Sequence, residues 1–126
     1  MFDGLSILIA DDSMQTLEML SFIFESEGAN VSKANNGLEA FEKTKEITYD
    51  VILMDIQMPI CDGIEATRRI RQSGISTPII AVTAATELEA QELLSKGFSD
   101  FFLKPVDFEL LNQKVSMCVG SAQLCG

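Results

Sequence analysis

Groups able to do metal or phosphate chemistry stand at the ends of apolar runs in this sequence. They are three carboxylates, a hydroxyl and an ammonium group: Asp11, Asp12, Asp55, Thr83 and Lys104. Taken singly, each is also typical of a turn, a helix cap, a strand or a solvated surface. The carboxyl ends of parallel strands, however, share one edge of a sheet, where ligand crevices form. If the runs are parallel strands, these side chains converge on one crevice.

The chemistry of such a crevice follows from its charges. Carboxylates about 4 Å apart repel by roughly 4 kcal/mol per pair at an effective dielectric constant near 20, so a cation is needed to offset them. Mg²⁺ is the natural candidate, because it prefers oxygen ligands. Lys104 would add a positive charge opposite Asp55, and Thr83 would donate a hydrogen bond to a phosphoryl oxygen. Asp55 would then act as a nucleophile and form an aspartyl phosphate.

The elements that must position these groups alternate along the chain. Apolar runs predict strands over 5–10, 29–34, 51–54, 77–83 and 99–103, and helical spacing predicts a helix after each of them. The run at 51–54 does not alternate, which suits a strand buried on both faces of a parallel sheet. The pattern predicts an α/β fold: a doubly wound (βα)5, flavodoxin-like, five-stranded parallel sheet with helices on both faces.

Length and composition bound the class of protein. The 126 residues, 47% hydrophobic and 22% charged, predict one globular domain over 1–120 followed by a C-terminal tail at 121–126. The net charge of −10 argues against direct nucleic-acid binding, which requires Lys and Arg to neutralise phosphates. An acidic surface instead favours cations and basic partners.

Cysteine usage and hydropathy predict the compartment. Cys61, Cys118 and Cys125 lack the spacing of a metal site, and the chain has no His to complete one, so reduced thiols are expected. The first apolar run is too short for a signal peptide, and no run reaches transmembrane length. We therefore expect a cytoplasmic protein with no membrane insertion.

These residues, in this order, resemble a known family. The carboxylate pair, the central Asp55, Thr83 and the Lys104-Pro105 pair, with Met58-Pro59 and Asp62-Gly63 after the central Asp, are similar to the receiver domains of two-component response regulators. The resemblance covers nearly the whole chain. The stretch 54–59, together with 65–68, is similar to stand-alone receivers and to receivers attached to hybrid histidine kinases.

The resemblance implies a role for each matching residue. Asp55 would be the phosphoacceptor, and Asp11, Asp12, Asp55 and the backbone carbonyl of Gln57 would form the Mg²⁺ site. Thr83 and Lys104 would sense the phosphoryl group. Phe101 holds the place of the switch aromatic, although a core position in a strand explains it equally well. Phosphorylation would shift a two-state population and change the surface formed by the fourth helix, the fifth strand and the last helix.

The resemblance also implies partners and a kind of activity. A histidine kinase or a histidine phosphotransfer domain would supply the phosphoryl group. The downstream target is undetermined, and a homodimer formed on phosphorylation is left open. We expect a phosphorelay switch that slowly dephosphorylates itself and does not turn over a small substrate.

Three other classes compete with this interpretation. A phosphohydrolase of the haloacid dehalogenase type also uses an Asp nucleophile after a strand, but its second carboxylate is replaced here by Gln57. A flavodoxin-like cofactor binder would need phosphate-cradling groups where Asp11 and Asp12 would repel a phosphate. A pseudo-receiver that binds partners without phosphorylation is disfavoured by the complete acceptor set.

Overall fold

The computed structural model describes residues 3–125, with side chains described for residues 3–119. Five parallel strands form one sheet in the order β2-β1-β3-β4-β5. The strands are β1 (Ser6–Ala10), β2 (Asn30–Ala34), β3 (Val51–Asp55), β4 (Ile79–Thr83) and β5 (Asp100–Leu103). All five strands predicted from the sequence are present, each within two residues of its expected start.

A helix follows every strand. The helices are α1 (Met14–Ser26), α2 (Gly37–Glu46), α3 (Gly63–Gln72), α4 (Glu87–Glu92) and α5 (Phe108–Cys125). Ser13, Asn36, Asp62 and Thr86 cap the first four, each accepting a hydrogen bond from a backbone N–H in the first turn. None of these helices, within the residues described, is long and apolar enough to cross a membrane.

Two helix ends differ from expectation. The apolar spacing over 87–96 predicts one helix, but the segment is α-helical only to Glu92 and then tightens into a 3-10 turn at Leu93–Lys96. Gly97, at φ +102°, ends it in the left-handed conformation that glycine adopts most readily, and tight last turns of this kind are common. At the other end of the chain, the backbone of α5 continues to Cys125 through most of the segment predicted as a tail, while Gly126 lies outside the described residues.

The core consists of two layers, one on each face of the sheet. Ile52 and Met54 of β3 pack with α2, α3 and α4, whereas Val51 and Leu53 pack with α1 and α5. All four side chains are at most 1% exposed. Burial on both faces explains why β3 is an unbroken apolar run, and it confirms the predicted doubly wound architecture.

The sheet topology places a crevice at one edge. The chain leaves β1 toward β2 on one side and leaves β3 toward β4 on the other, so the connections diverge between β1 and β3. Such a switch point opens a crevice at the carboxyl ends of the strands. Asp11 follows β1 and Asp55 ends β3, on either side of this opening.

Candidate functional site

Asp55 is the last residue of β3 and is 6% exposed. The loop after it folds back so closely that a Cβ on Gly63 would lie 2.2 Å from the carbonyl oxygen of Asp55. The N–H of Gly63 donates to the carbonyl of Ile56 at 2.9 Å, closing the loop. Only glycine fits at this approach, so the Asp62-Gly63 pair serves both to cap α3 and to hold the loop against the end of the strand.

Lys104 enters the site from the end of β5. Its Nζ lies 3.5 Å from Oδ1 of Asp55 and 3.6 Å from Oδ2 of Asp11. The backbone N–H of Lys104 donates to the carbonyl of Thr83 at 2.8 Å, which fixes the start of the loop beside β4. The Lys104-Pro105 peptide bond is cis. One ammonium group therefore bridges two carboxylates that are far apart in the sequence.

The three predicted carboxylates form one cluster. Oxygens of Asp11, Asp12 and Asp55 lie within 4.8 Å of one another. Asp11 is 3% exposed and accepts a hydrogen bond from the N–H of Ser13 at 2.9 Å, whereas Asp12 faces solvent. With Lys104 as the ammonium partner, two of the three negative charges remain uncompensated when all are ionised.

The pKa of Asp55 is raised above its ordinary value of 3.8. Burial of the carboxyl is the largest cause, because it penalises the charged form, and the charge of Asp11 adds to it. Lys104 and a hydrogen bond from the backbone of Ile56 act in the opposite direction without cancelling the rise. A further positive charge near Asp55 would therefore stabilise its ionised form.

A cleft of about 610 Å³ opens over Asp55. Thr83, which is 5% exposed, contributes its hydroxyl to the lining, and Oγ1 accepts a hydrogen bond from the N–H of Ala85 at 3.1 Å. The lining residues are Asp12, Asp55, Ile56, Gln57, Thr83, Ala84, Ala85, Thr86, Glu89 and Lys104. The structure thus brings together the carboxylates, the hydroxyl, the ammonium group and Gln57, as the sequence predicted.

Phe101 does not line this cleft; it is half-buried against the core layer of α2, α3 and α4, with Nζ of Lys114 5.5 Å from its ring centre. Glu89, which was not among the site residues predicted from the sequence, does line the cleft. Its position in the first turn of the helix that follows Thr83 was the only available signal.

The family described as the response regulator receiver domain matches residues 7–116. This chain is a receiver domain of that family. It is a signalling domain of the two-component type and not a classical enzyme. Neither the phosphohydrolase nor the pseudo-receiver alternative is favoured by the match.

Receiver relatives occur within larger proteins. The chain is 43% identical over 107 residues to the regulatory protein AtoC of Escherichia coli K12, covering 84% of this chain and 23% of AtoC. It is 37% identical over 112 residues to the histidine-protein kinase BarA of the same organism, covering 86% of this chain and 12% of BarA. The chain therefore spans less than a quarter of these two curated relatives.

Solved receiver structures are similar over their whole length. The receiver domain of the Francisella response regulator 1452 is 29% identical with a TM-score of 0.89, covering 94% of this chain and 99% of that one. The receiver domain of the sensor histidine kinase PA1611 from Pseudomonas aeruginosa is 31% identical with a TM-score of 0.85, covering 93% and 98%. That structure holds a magnesium ion coordinated in the active-site cleft.

Proposed function

We propose that this receiver domain is a Mg²⁺-dependent switch phosphorylated on Asp55 by a histidine kinase or a histidine phosphotransfer domain. The observation that carries the proposal is the position of Asp55, buried at the floor of the cleft, 3.5 Å from Lys104 and clustered with two further carboxylates. The 126 residues contain no His, so the donor phosphohistidine must belong to a different segment or a different molecule.

The donor set fits Mg²⁺. Hard carboxylate oxygens within 4.8 Å of one another, with uncompensated negative charge, are what this ion binds. We assign Asp11, Asp12, Asp55 and the backbone carbonyl of Gln57 as its ligands, in keeping with the magnesium found in the cleft of the PA1611 receiver. When bound, Mg²⁺ would neutralise charge on the transferring phosphoryl group.

The side chains of the cleft supply the nucleophile, a positive charge and a hydrogen-bond donor for phosphoryl transfer. The carboxylate of Asp55 is the nucleophile, and Lys104, already at ion-pair distance, stabilises charge on the phosphoryl oxygens. The hydroxyl of Thr83 accepts from Ala85 and keeps its own proton for donation to a phosphoryl oxygen. We expect water to attack the phosphorus of the aspartyl phosphate slowly, breaking its bond to the Asp55 oxygen, releasing inorganic phosphate and returning the free carboxylate.

The same contacts suggest how the signal leaves the cleft. Movement of Thr83 toward a phosphoryl group would open space beside Phe101, whose half-buried ring stands on the neighbouring strand opposite Ala81. We propose that the ring then turns inward and alters the surface of α4, β5 and α5. Phe101 has no hydroxyl, so packing alone would favour the inward position.

Intact mass after incubation with acetyl phosphate and Mg²⁺ tests the proposal. Wild-type protein should gain one alkali-labile phosphoryl group, and Asp55→Asn should gain none. Asp62→Asn is a matched control in the following loop, because Asn caps α3 as well as Asp does. An adduct on Asp55→Asn would contradict the assignment, and so would failure of wild-type protein to bind beryllofluoride with Mg²⁺.

A further inference from the structure

We infer that Glu89 biases the phosphorylation of Asp55 toward donors in which phosphorus is bound to a cationic nitrogen group and against acyl phosphates, whose leaving group is an anion. The inference rests on the proposed function and concerns the selectivity of the same cleft. The observation behind it is that Glu89, an exposed carboxylate in the first turn of α4, lines the cleft that contains Asp55 and Lys104.

The cleft is large enough to hold the leaving group of the phosphodonor, on which the charge of Glu89 can act. A volume of about 610 Å³ is several times that of a phosphoryl group, so the leaving group of the donor also lies within it. Phosphoryl transfer places the attacking and leaving atoms roughly in line on opposite sides of phosphorus. With Asp55 at the floor, the leaving group must lie toward the mouth, where Asp12 and Glu89 are exposed.

The two classes of donor respond differently to a carboxylate at the mouth. Acetyl phosphate is a dianion: the Asp55 oxygen bonds to phosphorus, the P–O bond to the acetyl group breaks, and acetate departs as an anion. Phosphoramidate is a monoanion with a protonated nitrogen: the same bond forms, the P–N bond breaks, and neutral ammonia departs. Glu89 repels the negative charge that develops on the departing acetate, and it attracts the positively charged nitrogen of phosphoramidate before the P–N bond breaks. Phosphohistidine belongs to the second class when the other nitrogen of its imidazole ring is protonated, because imidazole then departs as a neutral molecule.

Glu87 provides a matched control. It stands in the same first turn of α4 and is also exposed, but it is not among the residues that line the cleft. Both positions share the same favourable interaction with the helix dipole, and Thr86 caps α4 through the backbone N–H of Glu89, so neither side chain is needed for the cap. Glu89→Gln and Glu87→Gln therefore remove equal charge at different places.

The experiment measures the initial rate of phosphorylation of wild-type protein and both variants, with acetyl phosphate and with phosphoramidate, by intact mass at saturating Mg²⁺. Glu89→Gln should raise the ratio of the acetyl phosphate rate to the phosphoramidate rate about 3-fold at low ionic strength, and less at high salt. Glu87→Gln should leave the ratio close to that of wild type. An unchanged ratio in Glu89→Gln, or an equal change in both variants, overturns the inference alone. Absence of any adduct on wild-type protein overturns the proposed function as well.

Discussion

The ammonium nitrogen of Lys104 lies 3.5 Å from Oδ1 of Asp55, and it reaches that position from the opposite half of the chain. Because both carboxyl partners of Lys104 are buried, removing the ammonium group leaves two charges without a counter-ion. We expect Lys104→Met to lower the free energy of unfolding by about 2 kcal/mol at pH 7 without Mg²⁺. Urea denaturation measures the loss. Lys96→Met, at an exposed lysine, is the control, and an equal loss there would contradict the role of the ion pair.

The raised pKa of Asp55 makes stability depend on pH in a defined direction. Its folded-state pKa is above the unfolded value near 3.8, so between the two the folded protein binds more protons and stability falls as pH rises. Asp55→Asn removes this penalty. Without Mg²⁺, we expect the variant to be more stable than wild type at pH 7, with the difference vanishing below pH 3.8. Urea titrations across this range test it, and a variant less stable at pH 7 would contradict it.

Mg²⁺ should stabilise the folded protein by mass action, because the carboxylate cluster exists only when the chain is folded. At a concentration 100 times its dissociation constant, the ion should add about 2.7 kcal/mol to the free energy of unfolding. Calorimetry should show a rise in Tm for wild type that Asp12→Asn largely loses. Glu87→Gln, a carboxylate outside the cluster, should respond like wild type. An equal rise in Asp12→Asn would place the metal elsewhere.

The spacing of apolar residues and the polar residues at the ends of the predicted strands were sufficient to predict the architecture and the cleft. The unbroken run at 51–54 required a strand buried on both faces, and the parallel sheet then brought Asp11, Asp55 and Lys104 to one edge. This convergence depends on topology alone, so it could be predicted without knowledge of any side-chain conformation.

The details that escaped prediction depend on local geometry. The contact of Glu89 with the cleft depends on the rotation of α4 about its own axis. Because many positions of this helix are polar, its sequence does not indicate which face is turned toward the cleft. The left-handed φ of Ile60 is set by how the loop closes, and nothing in its side chain favours that conformation. Arg71 donates hydrogen bonds to the carbonyls of Gly97 and Thr77. These carbonyls lie in two loops, whose conformation cannot be predicted from a repeating pattern of apolar residues.

Ile60 is held in a strained conformation in the loop after Asp55. Its φ is +70°, and the N–H of Cys61 donates to the carbonyl of Pro59 at 2.7 Å, closing a γ-turn around it. The side chain is 79% exposed, so little burial compensates for the strain. We expect Ile60→Gly to raise the free energy of unfolding by about 0.5–1 kcal/mol, and Ile60→Val to leave it unchanged, since Val is equally β-branched. Thermal denaturation of wild type and the two variants tests this expectation. A more stable Ile60→Val or a less stable Ile60→Gly would contradict the presence of strain at this position.

Arg71 connects the end of α3 to two loops. Its Nε donates to the carbonyl of Gly97 at 2.9 Å, and its Nη1 donates to the carbonyls of Ile75 and Thr77 at 2.9 and 2.7 Å. Burial lowers the pKa of the guanidinium, but arginine is basic enough to remain charged at neutral pH. Arg71→Met would leave all three carbonyls without this donor.

We therefore expect Arg71→Met to lower the free energy of unfolding by about 3 kcal/mol, because hydrogen bonds from a charged donor are strong and their loss leaves part-buried acceptors unpaired. Arg68→Met is the matched control, since Arg68 lies on the same helix and pairs with Glu65 at the exposed surface. The midpoint of urea denaturation should fall markedly for the first variant and change little for the second. Similar midpoints for the two would mean that the carbonyls find other donors and that Arg71 does not hold the loops.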